Sequence, residues 1–234
     1  MELSIDTSTR YAAVGVSVDG RCLVELAWRS EQNHSVELVP AMSQAMQRAG
    51  TSASEITAVF VAIGPGGFSA LRVGLSTAKA LARARKVPLV GVGTLHVEAA
   101  PYLGLGVPVQ AVMDGGRSKL YTRVFLPDET ALGERPDGPL VLSVDEIIAE
   151  VVDETIFCGE GVDGDVRSRL LGAIPNVVVA DAARPTRRAA ELARLGHRRL
   201  SLGESDDPGA LEPVYARGSQ WQKAQKQRIR TGGV

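Results

Sequence analysis

The sequence is short of the residues that build metal and disulfide scaffolds. Its 234 positions hold two cysteines, Cys22 and Cys158, and three histidines, His34, His96 and His197. The cysteines lie far apart and outside any C-x-x-C, which removes a zinc ribbon and a disulfide framework; two reduced thiols are expected. There is no H-E-x-x-H and no histidine pair at i, i+4, so a metal centre made of protein ligands alone is not expected. G-x-S-x-G is missing too, and with it the nucleophile of an α/β-hydrolase. Aromatic residues are 4% of the chain, which leans away from an all-β sandwich and toward helices packed on a sheet through small residues. Formal net charge is −1, so global electrostatics recruit neither nucleic acid nor membrane. No run approaches the ~18–20 apolar residues of a membrane span. The opening Met1-Glu2-Leu3-Ser4-Ile5-Asp6 lacks the basic and apolar regions of a secretory signal. A soluble cytoplasmic protein is expected.

What is there is ordinary globular material: 44% hydrophobic and 23% charged residues, enough for a sizeable core. Leu3 to Ile5 is a short apolar run closed by Asp6. Ala12 to Val18 and Cys22 to Trp28 alternate as strands, joined by Asp19-Gly20, a two-residue hairpin turn. Ser35 to Ala49 has helical periodicity, with Ser35 as a candidate N-cap. Ile56 to Ile63 reads as a strand buried on both faces. A glycine-rich loop then leads into a helix over about 70–85, and Leu89 to Val92 is a further strand. A second half begins near Val107. Its strand Val109 to Met113 ends at Asp114; Lys119 to Leu126, Thr155 to Cys158 and Val177 to Val179 are strands, and 144–152 and 185–200 are helical. Both halves open with a strand closed by an aspartate, Asp6 and Asp114, a weak repeat in pattern that fits an α/β fold.

Two segments could carry chemistry. Asp6-Thr7-Ser8-Thr9 sets a strand-end carboxylate beside hydroxyls: a metal-linked carboxylate with anion-binding amides, or more plainly a turn that ties down its own loop. Gly64-Pro65-Gly66-Gly67-Phe68-Ser69 places a glycine loop before a helix, which suits an anion. It is neither a P-loop nor G-x-G-x-x-G, and close backbone packing explains the glycines equally well. Arg83, Arg85, Lys86 and the arginines at 184, 187, 188, 194, 198 and 199 read as solvated helix faces, with RNA phosphate as the minority reading. The helices at 35–49 and 70–85 have wide apolar faces rich in small residues. Leu38, Met42, Ala45 and Met46 on the first, with Leu71, Gly74, Leu75, Ala78 and Ala82 on the second, are read as a protein–protein seam. On that reading Ala45→Arg or Ala78→Arg breaks docking and leaves the monomer folded.

The blocks Asp6-Thr7-Ser8, His34-Ser35-Val36-Glu37-Leu38-Val39-Pro40 and Gly64 through Ala82 resemble the TsaB (YeaZ-like) family of tRNA threonylcarbamoyladenosine biosynthesis. Asp114-Gly115-Gly116-Arg117 with Tyr121, Gly159-Glu160-Gly161 and Glu212-Pro213-Val214-Tyr215-Ala216-Arg217 follow in the family's order. Gly67-Phe68-Ser69-Ala70 departs from its usual Ser-Phe-Thr-Gly, and Asp114-Gly115-Gly116-Arg117 from its Asp-Ala-Arg. The resemblance implies an actin-like α/β fold of the sugar-kinase/Hsp70 type, with related lobes at 1–103 and 104–217 and a basic tail at 218–234. It implies a non-catalytic accessory subunit of the complex that transfers threonylcarbamoyl to N6 of adenosine in tRNAs reading codons that start with A. The catalytic paralogue TsaD is the expected partner, met through the two helices. TsaE joins them, tRNA is contacted through the complex, and a homodimer is possible in isolation. No cofactor is tightly bound, but ATP or ADP with Mg²⁺ can sit at the partner interface; Asp6, Thr7, Ser8, Asp114 and Arg117 are candidates for its pocket. TsaD carries a His-x-x-x-His metal pair where this chain has Thr94 and Glu98, so no metal is expected. The alternative is an independent ATP-dependent phosphotransferase using Asp6 and Asp114 with Mg²⁺. A peptidase has no nucleophile–base pair to support it.

Overall fold

A computed structural model describes residues 1–31, 33–127, 139–151, 154–181 and 183–215. The expected basic tail at 218–234 lies outside the described residues. The chain opens as a meander of β1 (Glu2–Asp6), β2 (Tyr11–Val18) and β3 (Arg21–Arg29). Asp19 and Gly20 join β2 to β3 with φ of 49° and 72°, the positive values that a type I′ turn requires. Helix α1 (His34–Arg48), β4 (Ala58–Ala62), α2 (Phe68–Arg85) and β5 (Leu89–Val92) complete the first unit. Its strands lie in the order β3-β2-β1-β4-β5, with β4 parallel to β1 and β5 parallel to β4.

After α3 (Thr94–Ala99) the pattern repeats. Strands β6 (Val109–Asp114), β7 (Leu120–Phe125) and β8 (Leu140–Leu142) precede α4 (Val144–Glu150), β9 (Ile156–Cys158), α5 (Gly164–Ala173) and β10 (Val178–Val179). The second sheet runs β8-β7-β6-β9-β10, the same order and the same mixture of antiparallel and parallel pairs. The repeat that is faint in the letters is explicit in the topology.

The remaining helices cross over. On the first sheet, α1 and α2 cover the face of Leu3, Ile5, Val14, Val16, Val59 and Val61. The opposite face, with Ala58, Phe60, Ala62, Val90 and Val92, is covered by Leu192 and Leu195 of α6 (Ala189–Ser201). Helix α3 covers the second sheet, where Leu95 and Ala99 meet Val109, Ala111 and Met113. The chain from α6 onward therefore returns to the first lobe. Asp206 N donates to Leu89 O and Val214 N to Ile63 O, both at 2.7 Å. The stretch 104–217, expected as a second lobe, thus contains a helix, α6, that packs on the first sheet. Strand β4 is apolar on both sides and needs a second cover, which α6 supplies.

The nine residues read as a partner seam are also corrected. Leu38, Met42, Ala45, Met46, Leu71, Gly74, Leu75, Ala78 and Ala82 are all buried within the monomer. Their apolar faces are wide because they cover a sheet and also meet each other. Small side chains bring α2 close to the loop after β1: a Cβ on Gly74 would run into Thr7 Oγ1, and one on Gly66 into the Ser8 carbonyl. So the close-packing reading of the glycine-rich block is the one the structure supports. Helix α1 starts at His34, after Asn33, and Ser35 is not its cap. Among the described residues no helix is long and apolar enough to cross a membrane.

Ala45 and Ala78 are each 0% exposed. Arginine at either place puts a charge inside the core with no partner, a cost of several kcal/mol. Ala45→Arg and Ala78→Arg should therefore fail to fold or melt far below wild type by circular dichroism. A normal melt for both would mean the two helices are not sheathed as described.

Candidate functional site at the junction of the lobes

Among the described residues, Arg187, just before α6, makes five side-chain hydrogen bonds. It is 2% exposed. Its Nε donates to Asp6 Oδ2 at 2.8 Å. Nη1 donates to Glu160 Oε1 at 2.7 Å and Glu98 Oε1 at 3.3 Å. Nη2 donates to Thr9 Oγ1 at 2.7 Å and to the Tyr11 carbonyl at 3.2 Å. Guanidinium has five N–H donors, and each has an acceptor. Those acceptors come from the end of β1, the loop after it, the start of β2, α3 and the turn after β9. The reading of Arg187 as a solvated surface arginine is thus corrected. Arg199 is corrected too: it is buried on the Gly91 carbonyl and Glu204.

Burial pushes the Glu98 carboxyl above its ordinary value, and the Arg187 charge only partly opposes this. Glu98 Oε1 accepts from Glu160 N at 3.1 Å and Thr186 Oγ1 at 2.8 Å as well as from Arg187. Its Oε2 is buried with no hydrogen-bond partner among the described residues. Burial also pushes the nearby Cys158 thiol well up, with the Glu98 charge adding to it. Cys158 and Cys22 are both free thiols.

The structure separates the five residues proposed for a nucleotide pocket. Asp6, Thr7 and Ser8 are buried. Asp6 Oδ1 accepts from the Ser8 amide at 2.8 Å and from its hydroxyl, and Thr7 Oγ1 donates to the Ala70 carbonyl at 2.7 Å. These are loop-tying contacts. Asp114 is exposed, and its Oδ1 accepts from Gly116 N at 2.8 Å. It lines a cleft of about 740 Å³ between the lobes, with Arg10, Tyr11 and Arg29 on one side and Lys119, Asp145 and Arg169 on the other. Arg117 is exposed, with φ of 53°, and is not part of that lining.

A second hollow of about 750 Å³ lies on the first lobe, between the loop after β1 and the starts of α1 and α2. Arg10 and Arg29 line it too, with His34, Phe68 and Val73. His34 is buried with Nε2 2.9 Å from the Thr9 carbonyl. On the same helix Val36 and Val39 are exposed at 68% and 56%, and Phe68, which lines the hollow, at 54%. Phe68 stacks on Tyr215 with ring centres 5.3 Å apart, and the Arg72 guanidinium lies 3.9 Å over its ring. Elsewhere, Glu2, Asp19 and His197 bring ligand atoms within 4.8 Å of one another. His197 and Glu2 already meet at 2.6 Å, so His197 is half-buried rather than a free surface group.

A family model described as TsaD, tRNA N6-adenosine threonylcarbamoyltransferase, matches residues 28–153, more than half of the sequence. The chain belongs to the TsaD family. The curated transferase of Anaeromyxobacter dehalogenans is 36% identical over 165 residues, 58% of this chain and 47% of that protein, so this chain spans about half the length of the transferases it matches. Along nearly its whole length it is similar to the tRNA threonylcarbamoyladenosine biosynthesis protein TsaB. Identity is 25% for Bacillus subtilis (96% of this chain, 99% of that one) and 26% for Escherichia coli (94% and 96%). In structure it is similar to YeaZ from Pseudomonas aeruginosa, with TM-score 0.73, 20% identity and coverage of 92% and 99%. The fold is the two-lobed α/β actin-like one.

For the transferase family a metal is implied at the positions in register with Thr94 and Glu98. The donors do not fit one. Thr94 Oγ1 accepts from Gly64 N and donates to Ser8 Oγ, both at 3.0 Å. Glu98 is engaged with Arg187. The structure gives Glu98, Glu160 and Arg187 a joint place that sequence reasoning missed, although Glu98 and Glu160 each stood in segments singled out for the resemblance.

The Glu98→Gln variant keeps the accepting oxygen and removes the titration. A raised carboxyl binds its proton more tightly folded than unfolded, so wild-type stability falls as pH climbs from about 4.3, the ordinary glutamate value, toward the folded one. Melts from pH 5 to pH 8 should show the variant gaining on wild type as pH rises. A constant difference across that range would contradict the assignment.

Proposed function

We propose that the chain is a non-catalytic accessory subunit in tRNA threonylcarbamoyladenosine biosynthesis. Its partner is the catalytic transferase TsaD. TsaB likeness over nearly the full length carries the reading. The junction of the lobes supports the non-catalytic role, because Asp6 and Glu98 are spent on Arg187 and not presented to a substrate. The alternative phosphotransferase needs Asp6 to hold Mg²⁺ in the cleft. Asp6 is buried against Arg187 and does not line that cleft. A nucleotide with Mg²⁺ would instead use the cleft walls near Arg10, Lys119 and Asp114.

The docking surface is the outward side of α1 and α2. Val36 and Val39 on α1 and Phe68 at the start of α2 are exposed, Phe68 also lines the hollow, and exposed large apolar residues mark interaction sites. The same patch serves self-association when the chain is alone, and TsaE and tRNA join through the complex. Phe68→Asp and Val36→Asp should each weaken TsaD binding by about tenfold or more, roughly 1.4 kcal/mol, in calorimetric titration, with melting unchanged in Val36→Asp. Unmodified adenosine should accumulate in tRNA when this chain is withheld. Normal affinity in both variants would contradict the surface, and full modification by TsaD and TsaE alone would contradict the role.

A further inference from the structure

We infer that the Arg187 guanidinium is the permanent cation of the inter-lobe site and stands where a divalent metal would otherwise be held. Three carboxylates from distant segments, Asp6, Glu98 and Glu160, converge there at 2%, 1% and 9% side-chain exposure. Carboxylates gathered out of water need a cation among them, since uncompensated buried charge is very costly. An oxygen-only set of this kind suits a hard ion such as Mg²⁺, Mn²⁺ or Ca²⁺. Here the compensating charge is part of the chain.

The guanidinium and a metal exclude each other. Asp6 Oδ2, Glu98 Oε1 and Glu160 Oε1 are the atoms a metal would take, and each already accepts from Arg187. Burial works against the guanidinium charge, but the three carboxylates more than restore it, so Arg187 stays charged. One monovalent cation serves three acids, and the mismatch leaves a trace. Glu98 Oε2 is buried without a partner among the described residues, an oxygen that a doubly charged ion in this space could use. The junction is therefore closed without any dependence on metal supply.

Removing the guanidinium should expose a latent metal site. Mn²⁺ binding to the full chain is followed by electron paramagnetic resonance, in a His197→Gln background so that the Glu2–Asp19–His197 group contributes nothing. The background protein should bind no Mn²⁺ at the junction, and chelator should leave its melting temperature unchanged. Arg187→Met should melt lower, gain one Mn²⁺ site at least about tenfold tighter than background, and recover stability when Mn²⁺ is added. Adding Glu160→Gln to Arg187→Met should abolish that site. Mn²⁺ binding to the background protein that Glu160→Gln removes would overturn the inference. So would a folded Arg187→Met that gains no site, or one that fails to fold even when Mn²⁺ is present throughout refolding. Metal binding is read on the isolated chain, so failure here and failure of docking to TsaD are distinguishable.

Discussion

A single buried guanidinium holds the ends of five segments together. Taking a charge out of water costs several kcal/mol per ion, and the cost is offset only where geometry is good and every donor is satisfied. Arg187 meets that condition with five bonds to Asp6, Thr9, Tyr11, Glu98 and Glu160. Asp6 and Tyr11 belong to the first sheet, Glu98 to the helix packed on the second, and Glu160 to the turn after β9. The bond set thus fixes the loop after β1, seats α3, and fastens the start of α6 between the lobes. Moving any of these segments breaks hydrogen bonds to a guanidinium that is 2% exposed.

The rest of the architecture makes that point of fastening possible. Two units of the same strand order each leave one sheet face bare. The helix that follows each unit crosses to cover the other unit or returns to the first. The lobes are interleaved rather than strung together, and the chain passes the junction repeatedly. The junction is filled from within, while Arg10, Lys119 and Asp114 line the open cleft beside it. Three inner carboxylates share one arginine of the same chain.

The first half was largely legible because its signals are local. Alternation in β2 and β3, the Asp19-Gly20 turn and the long apolar β4 need no tertiary knowledge. Helix α5 escaped notice because Gly164–Ala173 has a thin apolar face, with Leu170 as its buried residue. Helix α6 starts at Ala189 rather than near Pro185 because the residues before it are spent on the junction. The apolar residues on α1 and α2 read as a partner seam in the sequence and lie in the monomer's own core in the structure, because periodicity cannot say whether a sheet or a partner does the burying. Arg187 was invisible for a stronger reason. It stands in a row of arginines, and its acidic partners lie 181, 89 and 27 residues away. No spacing rule connects letters at such distances.

The claim that the junction is one cooperative unit is tested most directly by amide hydrogen exchange on wild type and Arg187→Lys. Lysine keeps the charge but cannot make five bonds in a planar fork. The account predicts that 6–11, 94–99 and 159–162 lose protection together in the variant, by a similar factor, although they lie in different lobes. Loss confined to the residues around 187, with the other three segments as protected as in wild type, would contradict it.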